Sequence, residues 1–142
     1  MSEAGNRRAV ERLIDGLNAK NVQVMNEVFT DDSEMAYPQS GEIILGRTNR
    51  QAVYTAIPGL PSIAPYRTIA SGDIVETEAI LDYGNDDRYH TVFIFECRDG
   101  KIFRETAHWS KPCPAPEWRS RWVEKVTPGT PATPATPATP AT

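Results

Sequence analysis

The tetrapeptide Arg98-Asp99-Gly100-Lys101, set between two long runs of strand-forming residues, constrains this chain more than any other feature. Asp-Gly suits the centre of a tight hairpin turn in which both residues take a positive φ, and such turns match the twist of the strands they join. Residues 89–97 and 101–110 therefore read as a β-hairpin. A two-residue loop also sets the register: Arg98 opposes Lys101, and each step outward keeps the pairing. One face then carries the pairs Glu96-Phe103, Ile94-Glu105, Val92-Ala107 and His90-Trp109. The other carries Cys97-Ile102, Phe95-Arg104, Phe93-Thr106, Thr91-His108 and Tyr89-Ser110. Both faces are too apolar to meet only water, so one should cover helices and a pocket and the other should meet a partner.

The upstream pattern supplies the helices. Val10, Leu13, Ile14 and Leu17 recur at i, i+3, i+4 and i+7, which predicts an amphipathic helix over 3–19. A second short helix carries Val22, Met25, Val28 and Phe29 and ends in the turn residues Thr30-Asp31-Asp32-Ser33. Strands are expected near 34–38 and 42–45, on either side of Gln39-Ser40-Gly41. Thr48-x-x-Gln51 reads as a capping box for a third helix carrying Ala52, Val53, Ala56 and Ile57. Further strands near 66–70 and 74–83, followed by an Asp86-Asp87 turn, lead into the hairpin. Beyond it, Lys111-Pro112-Cys113-Pro114 is a rigid connection, and Pro116 can open a short helix stacking Trp118 and Trp122 at i, i+4. From Thr127 the chain reads TPGTPATPATPATPAT, which can bury nothing and favours an extended polyproline-like state. The expected organisation is one domain over 1–126 and a disordered Pro-Ala-Thr tail over 127–142. Helices segregated onto one face of an antiparallel sheet make it an α+β domain.

Composition narrows the function. With 39% hydrophobic residues, 24% charged residues and a net charge of -4, the chain fits a globular domain and lacks the clustered basic surface that nucleic acid demands. No apolar run is long enough to span a bilayer, and no signal-like segment precedes the first helix, so a cytoplasmic protein is expected. Cys97 and Cys113 lack metal-site spacing and read as thiols. No metal and no cofactor are implied.

The run VERLIDGLNAKNVQVMNEVFTDDSEMAYP, the hairpin VFIFECRDGKIFRETAHW and the segment PAPEWRSRWVEK together resemble SnoaL-like and ketosteroid-isomerase-like domains of the NTF2-like superfamily. The resemblance spans roughly residues 8–125. It implies a cystatin-like curved antiparallel sheet wrapped on N-terminal helices around a cone-shaped pocket. It also implies cofactor-free acid/base chemistry on an apolar carbonyl compound, such as cyclisation, dehydration or isomerisation. The alternative is a non-catalytic small-molecule-binding module or accessory subunit on the same fold.

The resemblance selects the face with Glu105, Ala107 and Trp109 as the pocket side, with His90 where steroid isomerases carry a protonated Asp donor. Tyr37 stands in the place of their catalytic Asp and Leu13 in the place of their donor Tyr, so their usual apparatus is absent. The candidate catalytic residues are Glu105 as base and His90 or Tyr37 as donor to a carbonyl oxygen. A carboxylate on an enclosed face needs either a ligand or a cationic partner, for which Arg47 and Arg67 are the candidates. The expected ligand-binding lining is Trp109, Leu13, Leu17, Val92, Ile94, Ala107 and Phe103. Phe93, Phe95, Tyr89 and Ile102 should then form the opposite patch, through which relatives dimerise, so a homodimer is the expected assembly.

Overall fold

Asp99 and Gly100 take φ values of 52° and 78°, the conformation that the Asp-Gly pair predicts. They join two strands of a computed structural model that describes residues 2–126; the expected tail over 127–142 lies outside the described residues. The elements are α1 (Glu3–Asn18), α2 (Val22–Glu27), β1 (Phe29–Tyr37), β2 (Glu42–Leu45), α3 (Arg47–Ala56), β3 (Ser62–Ser71), β4 (Ile74–Asp82), β5 (Arg88–Arg98) and β6 (Lys101–Ser110), followed by a 3-10 helix over Glu117–Trp122.

The six strands form one open sheet in the order β2-β1-β6-β5-β4-β3. Four of the five neighbouring pairs are antiparallel, while β1 and β6 run parallel, so the sheet is mixed rather than wholly antiparallel. The meander β3 to β6 returns to the start of the chain and lays β6 beside β1, in the same direction. The helices pack on one face of this sheet, where Val10, Met25, Val28, Phe29, Val75, Phe95 and Ile102 are buried. Gly16 lets α1 and α2 close: a Cβ there would lie 3.1 Å from Met25 Cγ.

Thr30 to Ser33, expected as a turn, belong to β1. Two of their side chains, Asp31 and Asp32, have tertiary partners. Arg47 pairs with Asp31 at 2.8 Å and Arg98 with Asp32 at 2.8 Å. The capping box also fails, because α3 starts at Arg47 behind Gly46 and has no side-chain cap. The C-terminal segment forms a 3-10 helix that leaves Trp118 74% and Trp122 71% exposed.

The largest departure lies in the β5–β6 hairpin. Arg98 faces Lys101 and Cys97 faces Ile102 as expected, but the next pair is Glu96 with Arg104, and Phe103 stands unpaired in a bulge. One extra residue flips every later side chain of one strand relative to the other. Glu105 therefore pairs with Phe95, Ala107 with Phe93 and Trp109 with Thr91. Phe93, Phe95 and Ile102 are buried on the helix side and Tyr89 turns toward it, so they form no outer dimer patch. His90, Val92 and Ile94 face outward. Phe103 sits between two guanidiniums, with Arg98 and Arg104 5.2 and 5.3 Å from its ring centre.

Candidate functional site

The helix-covered face encloses a cavity of about 390 Å³. The stripe of α1 supplies Leu13, Ile14 and Leu17 to its wall, α3 supplies Val53, Tyr54 and Ile57, and the sheet supplies Met35, Tyr37, Phe93, Phe95, Glu105, Ala107 and Trp109. Tyr83 and Tyr89 also line it, with their rings packed edge to face at 5.6 Å. Tyr37 packs the same way on Trp109 at 4.9 Å. Among the described residues that line the cavity, Glu105 is the one carboxylate, and none is Lys, Arg or His.

Glu105 is only 2% exposed, and its partner is neither Arg47 nor Arg67 but Arg50, itself 1% exposed. Arg47 is taken by Asp31 and Arg67 by Glu78. Arg50 Nη1 donates to Glu105 Oε1 at 3.1 Å and approaches Met35 Sδ at 3.1 Å and Tyr54 Oη at 3.4 Å. The guanidinium carbon lies over the Phe29 ring, 3.5 Å from its centre, while Nε and Nη2 have no acceptor. A planar, delocalised cation tolerates such a sandwich between an aromatic face and a carboxylate better than an ammonium would.

Met35 Sδ is the hub of the polar wall. The Tyr37 hydroxyl donates to it at 3.4 Å and the Tyr54 hydroxyl reaches it at 3.7 Å. A thioether is a weak acceptor, so both phenolic protons lack a strong one. Burial raises the Glu105 carboxyl above its ordinary range, and the nearby Arg50 charge pulls it part of the way back. Burial, reinforced by the Glu105 charge, pushes Tyr37 up to about 12 and raises Tyr54 further. Both tyrosines thus remain proton donors at neutral pH.

Of the expected site residues, Glu105, Tyr37, Trp109, Leu13, Leu17 and Ala107 meet in this cavity. His90, Val92, Ile94 and Phe103 do not, for the bulge places them on the other side of the sheet. His90 hydrogen-bonds Tyr66 through Nε2 and lines a separate outer cleft with Val92, Glu78 and His108. Arg50 and Tyr54 were missed. Their signal lies in the sequence as the stripe Arg50, Val53, Tyr54 and Ile57, at i, i+3, i+4 and i+7, which faces inward although it opens with an arginine; Val53, Tyr54 and Ile57 line the cavity, and Arg50 is buried beside Glu105. Among the described residues, no three His, Cys, Asp or Glu side chains cluster so as to hold a metal ion, and no helix is long and apolar enough to cross a membrane.

Residues 10–105 match the profile of the SnoaL-like domain family. An NTF-2 like protein of unknown function from Burkholderia xenovorans LB400 is 37% identical, with a TM-score of 0.78 over 87% of this chain and 97% of that one. A putative ketosteroid isomerase from Kribbella flavida is 25% identical, with a TM-score of 0.80 over 87% of this chain and 90% of that one. An LEH-like epoxide hydrolase from M. tuberculosis shares the fold at 20% identity and a TM-score of 0.65, over 75% of this chain and 84% of that one. No curated protein matches the sequence.

Proposed function

This chain belongs to the SnoaL-like domain family, and from that premise we propose that it binds a small neutral carbonyl compound in the inner cavity and moves a proton next to the carbonyl, without a cofactor. One observation carries the reading: a buried carboxylate and two phenols without strong acceptors share one wall of an otherwise apolar chamber. Glu105 is the base, since a carboxylate raised by burial is better matched to taking a proton near neutral pH than an ordinary one. Tyr37 and Tyr54 turn their hydroxyls from the Met35 sulfur to the substrate oxygen and hold the charge that develops on it. Trp109, Leu13, Leu17 and Ala107 form the apolar wall. A lining without cationic side chains disfavours substrates bearing a carboxylate or phosphate.

Size supports the same class. A cavity of about 150 Å³ admits one benzene ring, so the chamber matches a compound of about two to three rings. The free thiols of Cys97 and Cys113 support a reducing, cytoplasmic setting.

The Arg50–Glu105 pair favours a second reading, a non-catalytic binder, because a carboxylate held by a guanidinium is a weaker base than a free one. Hydrogen–deuterium exchange at the carbon next to the carbonyl of 2-tetralone, followed by NMR in D2O, separates the two. Catalysis predicts exchange accelerated by the protein, lost in Glu105→Gln and slowed in Tyr37→Phe. Binding of 2-tetralone without accelerated exchange would establish the second reading instead.

A further inference from the structure

We propose that Met35 is a modification site: hydrogen peroxide converts its thioether to the sulfoxide, and the sulfoxide closes the cavity to a carbonyl ligand by holding the phenols of Tyr37 and Tyr54. The closure rests on the reading of the cavity given above; the oxidation does not.

The surroundings of the sulfur suit an oxygen better. Arg50 Nη1 lies 3.1 Å from Met35 Sδ, the Tyr37 hydroxyl 3.4 Å and the Tyr54 hydroxyl 3.7 Å. Each of these groups is a donor, and a thioether is a weak acceptor. Arg50 is buried, and its Nε and Nη2 have no acceptor either. Buried donors without acceptors are costly, so this wall gains from a new acceptor placed in it. Oxidation supplies one, because it turns an apolar sulfur into a polar S–O group whose oxygen accepts hydrogen bonds.

The reagent has a route. Met35 is 5% exposed and faces the cavity, and Tyr83, another of the lining residues, is 43% exposed, so the chamber reaches the surface. Hydrogen peroxide is little larger than water. The sulfur lone pair attacks one peroxide oxygen and the O–O bond breaks. The departing hydroxide takes the proton from the oxygen now bound to sulfur. Sulfur is oxidised by two electrons and the peroxide is reduced to water. Negative charge develops on the departing oxygen, and the Arg50 guanidinium and the two phenols stand where they stabilise it.

Met25 is the internal comparison. It lines the same cavity and packs against Gly16, but among the described residues no side chain donates to its sulfur. An oxygen on Met25 would meet an apolar wall. On Met35 it meets donors, and it competes with a ligand carbonyl for the same phenolic protons while filling part of the chamber.

Peptide mass spectrometry of the full chain after timed exposure to hydrogen peroxide tests the oxidation. Met35 is expected to gain one oxygen at least tenfold faster than Met25. Tyr37→Phe should slow Met35 at least threefold and leave Met25 unchanged. Equal rates at the two sulfurs overturn the proposal, and so does a Met35 rate indifferent to Tyr37→Phe. Titration calorimetry with 2-tetralone tests the closure. Affinity should fall at least tenfold in the oxidised wild type, with its far-ultraviolet circular dichroism retained, while peroxide should leave the affinity of Met35→Leu where it started. Oxidised protein that binds 2-tetralone as before overturns the closure, and so does an equal loss in Met35→Leu. Unoxidised protein that does not bind 2-tetralone overturns the carbonyl reading instead, and the oxidation rates are measured without that ligand.

Discussion

Arg50 Nη1 lies 3.1 Å from Glu105 Oε1, and the two side chains are 1% and 3% exposed. They come from the first turn of α3 and the middle of β6, 55 residues apart. The pair does two jobs at once: it neutralises a buried cation, and it fixes a carboxylate at the wall of the cavity.

Removing one partner leaves the other charge buried and alone, which typically costs about 3–5 kcal/mol. Glu105→Ala should lower unfolding stability by about that amount in urea denaturation. The double variant Arg50→Met/Glu105→Leu should recover most of the loss, because apolar replacement of both partners is often neutral or stabilising. A double variant no better than the single one would mean that the pair does not act as a unit.

Tyr37→Phe and Tyr54→Phe should separate stability from ligand binding. The Tyr37 hydroxyl gives up only a thioether contact, so its loss should change unfolding by less than about 1 kcal/mol, while the Tyr54 hydroxyl also accepts from Arg50 at 3.4 Å and its loss should cost about 1–2 kcal/mol. Affinity for 2-tetralone, measured by titration calorimetry, should fall about tenfold in each variant if the phenols hold the carbonyl oxygen. A large stability loss with unchanged affinity would assign these hydroxyls to the core instead.

His90→Ala should leave both 2-tetralone affinity and proton exchange unchanged, because His90 bonds Tyr66 on the outer face. A hundredfold loss of exchange, the scale of a lost acid–base group, would restore it to the site and refute the bulge at Phe103.

The pH profile of exchange should rise through an acid limb centred above 4.5, the ordinary glutamate value, because burial raises Glu105. Tyr37, pushed up to about 12, should give no alkaline limb below about pH 11. Stability runs the other way. The folded chain holds the Glu105 proton more tightly than the unfolded chain does. Its contribution to stability is therefore greatest below 4.5 and is lost as pH rises through the raised value. Glu105→Gln should remove the acid limb, and a limb that persists in this variant would assign the base to another residue.

Much of the fold was legible because its signals are local. The stripe of α1 follows from 3.6-residue periodicity, and the sites of β2 and β6 follow from turn residues that bracket them. On β6 the alternation of Glu105, Ala107 and Trp109 also holds, since no irregularity falls among them. Phe103 is where the reading broke. A bulge has no strong sequence signature, and an aromatic flanked by two arginine side chains from either side resembles any other strand residue. One unpaired position then exchanged His90, Val92 and Ile94 for Tyr89, Phe93 and Phe95.

By itself, then, the sequence determined α1, the Asp99-Gly100 turn and the family, and through the family resemblance the inward face of β6. Tertiary structure alone decided which face of β5 lines the cavity, that β1 runs beside β6, and that Arg50 is the partner of Glu105. Those outcomes depend on packing between distant segments. A buried charge reveals itself only by what surrounds it, and in α3 an arginine destined for the core is spelled the same as one destined for water.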